Sequence, residues 1–226
     1  MSVIPEDVFT FLNRLKNNND RDWFDAHKSE FKKIDGVLKE FYTSVLEDLN
    51  TSDTVDKMKI YRIYRDVRFS KDKTPYKTHR SVSFSRVSAS LRGGYYLKIS
   101  PGESRMVGGF FQPNPADLKR IRKEFETDDQ EIREIINDSR FLKMFNSLEG
   151  EEVKTAPRGF DIGHPAIDLI RKKSFLAVRR FTDEQVLSAN FRQELKESYL
   201  ALRPFFDYMS DVLTTDLNGV SLLKDA

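Results

Sequence analysis

The sequence contains no cysteine among its 226 residues. This absence excludes disulfides, thiolate nucleophiles and cysteine-ligated zinc or iron–sulfur centres within the chain, so packing alone must stabilise the fold. Only three histidines are present, His27, His79 and His164, and their spacing does not match a metal-binding signature. We therefore predict no metal site and no cofactor.

The sequence also lacks an apolar run of about 18 residues, the length that a membrane-spanning helix needs. Near the start, Glu6 and Asp7 stand where a secretory signal peptide carries basic residues. No stretch rich in proline, glycine or serine divides the chain, and 38% hydrophobic with 12% aromatic residues is typical of an ordered globular protein. We predict a soluble cytoplasmic protein with no membrane partner, forming a single domain over 1–226.

The order of helix and strand patterns predicts an α+β fold, in which helices from both ends of the chain cover an antiparallel sheet. Apolar residues spaced three and four apart indicate helices within three segments, 1–50, 114–148 and 188–217. Asn114 is expected to cap one of these helices. Thr127 and Gln130 have the spacing of a capping box, which predicts that another helix starts there.

A β-meander is predicted for 58–111. Runs of β-branched and aromatic residues place its strands at 58–69, 82–91, 94–99 and 105–111, and the short glycine-containing connections favour hairpins. Residues 150–181 are expected to form a loop that leads into a last strand from Ser174 to Phe181.

A cationic segment at 57–80 is the most informative feature of the chain. It holds nine lysines and arginines against Asp66 and Asp72, a net charge of +7, whereas the whole chain carries only +2. Because like charges repel at close range, such a segment either meets an anion or is neutralised by acidic residues that fold against it. The sequence leaves both outcomes open.

Residues 62–80, which we call the basic motif, form the candidate site within this segment. Pro75 forces Thr74 out of helical geometry, so the residues from Ser70 to Lys77 are predicted to form a defined loop. Guanidinium and ammonium groups presented from such a loop are good phosphate ligands. We predict that the ligand is bound by Arg65, Arg68, Lys71, Lys73, Tyr76 and Lys77, together with Arg158.

Three residues are candidates for proton transfer beside a bound anion. They are Asp66 and His79 of the basic motif and His164, which follows a Pro-Arg-Gly-Phe-Asp sequence. His27 instead lies on the apolar stripe of a helix and is expected to be packed. The chain has no HExxH, P-loop, GxGxxG or GxSxG signature, so the sequence alone does not establish an enzyme.

A second basic patch lies between positions 171 and 180, where the chain has no acidic residue. Its members are Arg171, Lys172, Lys173, Arg179 and Arg180. Two interpretations are open: the patch extends one electropositive surface with the basic motif, or its first three residues offset the dipole of a helix that ends there.

Three segments carry a resemblance to a known family: FLNRLKNNNDRDWFDAHKSEF at 11–31, RIYRDVRFSKDKTPYKTH at 62–79 and APRGFDIGHPAIDLIRKKSF at 156–175. Together they resemble the domain of unknown function 2461, a family of conserved hypothetical proteins of bacteria and fungi. The resemblance spans most of the chain and implies a small intracellular protein. It supplies no activity and no catalytic residue.

Three classes of function remain open. The first is the binding or processing of a phosphorylated or other anionic small molecule, which the basic motif would clamp. The second is a structural or partner-binding role, in which the motif is an internal salt-bridge network. The third is nucleic-acid binding, with Phe69 and Tyr76 stacking on bases; the net charge of only +2 makes it less favoured.

Overall fold

The structure is a computed structural model that describes residues 3–223. It confirms the predicted α+β class, since helices flank an antiparallel sheet. The strands of the described range are β1 (Val55–Ile60), β2 (Arg80–Arg86), β3 (Gly94–Ile99), β4 (Ser104–Phe110), β5 (Leu148–Glu149) and β6 (Phe175–Phe181). They lie in the order β1-β2-β3-β4-β6-β5, so the first four form a meander and β6 pairs between β4 and β5.

The helices between residues 3 and 223 precede, interrupt and follow the strands. They are α1 (Glu6–Asn17), α2 (Arg21–Ala26), α3 (Lys28–Leu49), α4 (Pro115–Thr127), α5 (Gln130–Asn137), α6 (Ser139–Phe145), α7 (Ile167–Ile170), α8 (Asp183–Leu187) and α9 (Phe191–Thr214). None of these described helices combines the length and apolar character that crossing a bilayer requires.

The chain forms two compact units, each assembled from three segments. The first unit consists of the residues up to Phe84, Tyr96–Met106 and Arg180–Glu197. The second consists of Ser85–Tyr95, Val107–Arg179 and the chain from Ser198 onward. The expectation of one domain over 1–226 stays a prediction.

Two of the local sequence signals have different outcomes. Asn114 caps α4 as predicted, because its side chain accepts hydrogen bonds from two backbone N–H groups in the first turn, both at 3.0 Å. The capping box predicted at Thr127 and Gln130 is wrong, since the Thr127 hydroxyl belongs to α4 and donates to a carbonyl one turn earlier. A capping box does begin α8, where Thr182 and Gln185 exchange the two hydrogen bonds.

Two of the predicted strands end earlier than the sequence indicated. β1 ends at Ile60, and the rest of the predicted strand 58–69 pairs with a later part of the basic motif instead of the sheet, through a single bridge between Tyr64 and Tyr76. β2 ends at Arg86, two residues before Ser88 adopts a left-handed conformation with φ of 76°. A left-handed residue cannot continue an extended strand.

Aromatic side chains fill the core of each unit. In the first unit, Phe41 of α3 stacks on Phe191, with ring centroids 5.6 Å apart. In the second unit, Phe206 of α9 meets Tyr95 of β3 and Phe110 of β4 edge-on, at 4.9 and 5.8 Å. Such edge-to-face pairs add about 0.5–1.5 kcal/mol to the free energy gained from burying each ring.

The pairing of β4 with β6 depends on Gly109. This residue has φ of 144°, and a Cβ atom added there would overlap the carbonyl oxygen of Phe175 on β6. We expect Gly109→Ala to lower the free energy of unfolding by about 2 kcal/mol or more, since both backbone strain and steric overlap oppose the methyl group. Equilibrium urea unfolding measures the change.

The control for this substitution is Gly36→Ala in α3. Gly36 is exposed, and no atom lies within 4 Å of an added Cβ. Alanine is favoured over glycine in a helix, so this variant should be more stable by about 0.5–1 kcal/mol. Equal stability of the Gly109→Ala variant and the unmodified protein would contradict the close approach of β4 to β6.

Candidate functional site

The basic motif folds back on itself. The backbone N–H of Arg65 donates to the carbonyl of Pro75 at 2.9 Å, and the backbone N–H of Lys77 donates to the carbonyl of Ile63 at 2.8 Å. Its two arms are therefore paired, and the residues between them form an exposed tip. This places the predicted loop of the motif at that tip, although the arms form only one bridge and no regular strand.

An ionic network at the tip centres on Asp72. Its carboxylate accepts hydrogen bonds from the Arg65 guanidinium, from the Thr74 hydroxyl and from the Thr74 backbone N–H, the last at 2.9 Å. The backbone hydrogen bond from Thr74, followed by the Arg65 side chain, lowers the pKa of Asp72 to about 2. Arg65 also donates to the Thr74 hydroxyl, so three side chains fix the shape of the loop.

A second pair, Arg68 with Asp66, occupies the outer part of the tip. The guanidinium donates to both carboxylate oxygens, at 3.0 and 2.7 Å, and these hydrogen bonds lower the pKa of Asp66. The Arg68 side chain is 77% exposed. Next to it, the Phe69 ring is 96% exposed and lies 5.8 Å from the Arg68 guanidinium carbon.

The lysines of the basic motif have no carboxylate partner within residues 3–223. Lys73 Nζ donates to the Val67 carbonyl at 2.9 Å, and Lys77 Nζ donates to the Arg62 carbonyl at 3.0 Å. Lys71 is exposed. Backbone carbonyls orient Lys73 and Lys77 but leave their positive charge uncompensated.

Acidic residues from elsewhere do little to neutralise the cationic segment 57–80. In the described part of the chain one carboxylate from outside it forms an ion pair there, Asp35 with Arg80 at 2.5 Å. The segment therefore keeps a net charge of +6 from its original +7. Arg80 is buried, and its guanidinium also donates to the Tyr61 carbonyl at 2.6 Å.

Crowding of positive charge perturbs the end of the motif. Burial, followed by the charges of Lys98, Lys77, Arg80 and Arg105, lowers the pKa of His79 to about 4. Burial, followed by Arg80 and Arg62, also lowers the pKa of Lys77. His79 is therefore neutral at pH 7, where it is a weak base and carries no proton for general acid catalysis.

Tyr76 anchors the motif to the N-terminal helices. Its ring is 4% exposed and stacks on Phe24 of α2, with centroids 4.0 Å apart. The Asn19 side chain accepts a hydrogen bond from the Tyr76 N–H at 3.1 Å and donates to its carbonyl at 2.9 Å. Because one face of the ring lies against Phe24, Tyr76 contributes mainly to packing.

A cavity of about 340 Å³ lies beside this anchor in the first unit. Its lining includes Tyr76 together with Arg21 and Asp25 of α2 and Tyr64 and Arg65 of the motif. Arg21 and Tyr64 were not predicted as site residues. Arg21 lies in the first of the three segments that carry the family resemblance, and this was the only sequence feature that could have indicated it as a site residue.

Two other predicted site residues, Arg158 and His164, belong to the second unit, whereas the basic motif belongs to the first. Arg158 is exposed and lines a different cavity. The His164 Nδ1 atom accepts a hydrogen bond from the Ala166 N–H at 3.1 Å, so this histidine helps to shape the turn before α7.

In the second basic patch, Arg171, Lys173 and Arg179 make contacts within the second unit, whereas Arg180 belongs to the first unit. Arg171 Nε donates to the Val153 carbonyl at 2.8 Å, and Lys173 lies 4.0 Å from Glu151. Arg179 donates to the Ser198 hydroxyl at 2.7 Å. Arg171 directly follows the last residue of α7. This position agrees with the interpretation that the first residues of the patch offset a helix dipole.

These features define an α+β protein whose basic motif forms a cationic ribbon, in which the two arms pair with each other. The chain belongs to the family described as Conserved hypothetical protein (DUF2461), which it matches over residues 7–208. This match confirms the resemblance found in the three sequence segments. The comparison with curated proteins and the comparison with solved structures each gave no match.

The low pKa of His79 predicts a pH-dependent stability. The folded protein keeps this imidazole neutral down to about pH 4, while the unfolded chain binds the proton near the ordinary pKa of 6.5. Between these values the unfolded state binds more protons, so the free energy of unfolding should fall as the pH drops from about 6.5 to about 4. Urea unfolding across this range tests the prediction.

His79→Gln is the control, because glutamine does not titrate. The difference in unfolding free energy between the unmodified protein and this variant should shrink or reverse towards pH 4. A constant difference across the range would contradict the burial of a neutral His79 among cations.

Proposed function

We propose that the protein binds a phosphorylated or other anionic small molecule through the basic motif at 62–80. The observation that carries this proposal is the charge of the surrounding segment, which keeps +6 after its pairing with Asp35. The proposal explains why Lys77 and His79 lie in a field that opposes their protonation, since a bound anion would offset that field.

The geometry of the motif supports binding for a second reason, its preorganisation. The paired arms and the Asp72 network fix the backbone that carries the cations before a ligand arrives, which reduces the entropy lost on binding. Arg62 and Lys71 are exposed, and Lys77, whose Nζ donates to the Arg62 carbonyl, is half-buried; none of the three has a carboxylate partner in the described range. These side chains are the proposed anion ligands, with Arg65 at the edge of the cavity.

The proposal covers binding and names no reaction. Both carboxylate oxygens of Asp66 accept hydrogen bonds from Arg68, and His79 is neutral at pH 7, so neither is ready to donate a proton to a ligand. The ligand would be an intracellular phosphate compound if the chain works in the cytoplasm, as its sequence predicts.

A structural role of the motif is the second candidate, and a specific observation favours it. Arg65 and Arg68 each pair with an aspartate of the motif itself, which is the internal network that the sequence also allowed. Nucleic-acid binding has less support. Tyr76 stacks on Phe24, which leaves Phe69 as the exposed ring of the predicted stacking pair.

Removing two of the proposed ligands tests the anion site directly. We expect Arg62→Gln with Lys71→Gln to weaken the affinity for inorganic phosphate or a sugar phosphate by about tenfold or more, since each lost cation removes a charge-assisted contact. Isothermal titration calorimetry measures the affinity. Both side chains are exposed, so the melting temperature without ligand should hardly change.

Lys39→Gln with Lys33→Gln provides the matched control, because it removes the same charge from exposed positions of α3. This variant should keep the affinity of the unmodified protein. If both double variants weakened phosphate binding equally, the effect would come from net charge alone and the proposed site would be wrong. The absence of binding by any tested anion would also refute the proposal.

Substitution of Asp66 and of Asp72 separates the two candidate functions. Asp66→Asn removes a negative charge near the proposed ligands and leaves the Asp72 network intact, so the anion proposal predicts tighter phosphate binding by this variant. Asp72→Asn changes the charge equally but breaks the network that fixes the loop, so it should lower the melting temperature clearly more than Asp66→Asn. If the motif is only structural, neither variant should gain phosphate affinity.

A further inference from the structure

The second unit contains a cavity of about 670 Å³ between α4 and the loop at 157–160. Among the described residues, four cations and no acidic side chain line it: Lys119, Arg122, Lys123 and Arg158. Its volume falls within the range of small-molecule sites, about 300–1,000 Å³. The cavity shares no residue with the basic motif.

Arg122 is the fixed cation of this cavity. Its Nε donates to the Ile170 carbonyl at 2.8 Å, and its Nη2 donates to the Lys172 carbonyl at 3.1 Å. No carboxylate of the described residues pairs with it, and burial lowers its pKa. The two neutral acceptors orient the guanidinium and leave its charge available to a ligand.

Two further cations face the same space without a carboxylate partner in residues 3–223. Lys119 is exposed and precedes Arg122 by three residues, so both lie on one face of α4. Arg158 is exposed on the opposite wall, followed by Gly159 with φ of 87°. Positive charge thus comes from a helix and from a loop.

The remaining lining is apolar. Phe160 lies with its ring 5.0 Å from Lys123 Nζ, which in turn pairs with Glu126. Pro113, Pro115 and Pro157 complete the wall with rigid, apolar rings. A site that combines free cations with an aromatic and proline wall suits a ligand that is anionic at one end and apolar at the other.

We propose that this cavity is a second ligand site, which binds an organic phosphate. The phosphate group contacts Arg122, Lys119 and Arg158, and the apolar or aromatic body of the ligand packs on Phe160 and the neighbouring prolines. Because Nε and Nη2 of Arg122 donate to the two carbonyls, the guanidinium is held in place, and its charge and Nη1 serve the phosphate at low entropic cost. The proposal is independent of anion binding at the basic motif.

An NMR titration of the ¹⁵N-labelled full chain with phenyl phosphate tests this site. We expect saturable shifts of the Gly159 and Phe160 amides, and tighter binding of phenyl phosphate than of inorganic phosphate. Arg158→Gln should weaken phenyl phosphate by about tenfold, since it removes one charge-assisted contact. Arg140→Gln, an exposed arginine of α6 in the same unit, should leave the affinity unchanged.

Phe160→Ala separates the two parts of the proposed ligand. It should reduce the affinity for phenyl phosphate and leave that for inorganic phosphate nearly unchanged. The Arg62→Gln and Lys71→Gln variant should retain the shifts of Gly159, which distinguishes this site from the basic motif. Shifts confined to residues 62–80, or equal affinities of the Arg158→Gln and Arg140→Gln variants, would overturn the inference.

Discussion

The contact of Tyr76 with α2 and the preceding turn fixes the basic motif to the first unit. The buried Ile63 side chain and the ion pair of Arg80 with Asp35 add to this hold, while the arm pairing and the ionic network at the tip act within the ribbon. A short two-stranded ribbon alone is marginally stable in water. These contacts with the rest of the first unit therefore give the cationic hairpin a defined shape.

Uncompensated charge is the second constraint on this surface. The motif's own aspartates hold Arg65 and Arg68, while backbone carbonyls hold Lys73 and Lys77. Carbonyls satisfy the donors of an ammonium group without cancelling its charge. The structural network and the proposed anion site are thus compatible, because the residues that shape the loop differ from those left for a ligand.

The sequence predicted the features that depend on local chemistry. The cationic excess at 57–80, the Asn114 cap and the antiparallel meander follow from composition, capping preference and turn length. The strand predicted at 58–69 failed beyond Ile60, because β-branched residues do not reveal whether a segment pairs with the sheet or with its own return arm. The crowding of His79 also escaped prediction, since Lys98 and Arg105 reach it from β3 and β4.

The cavity beside α4 was only partly visible in the sequence. Arg158 was named as a ligand residue, but the pattern gave no reason to group it with Lys119 and Arg122. Apolar periodicity locates the buried face of a helix and says nothing about which loop covers its polar face. The carbonyls that accept hydrogen bonds from Arg122 belong to Ile170 and Lys172, about 50 residues further along the chain.

The NMR titration of the His79 imidazole with and without inorganic phosphate tests the central claim most directly. In the free protein the pKa should lie at about 4. Phosphate bound at the basic motif should raise this pKa, because an anion near the imidazole favours its protonated form. An unchanged pKa of His79 at saturating phosphate would contradict the account.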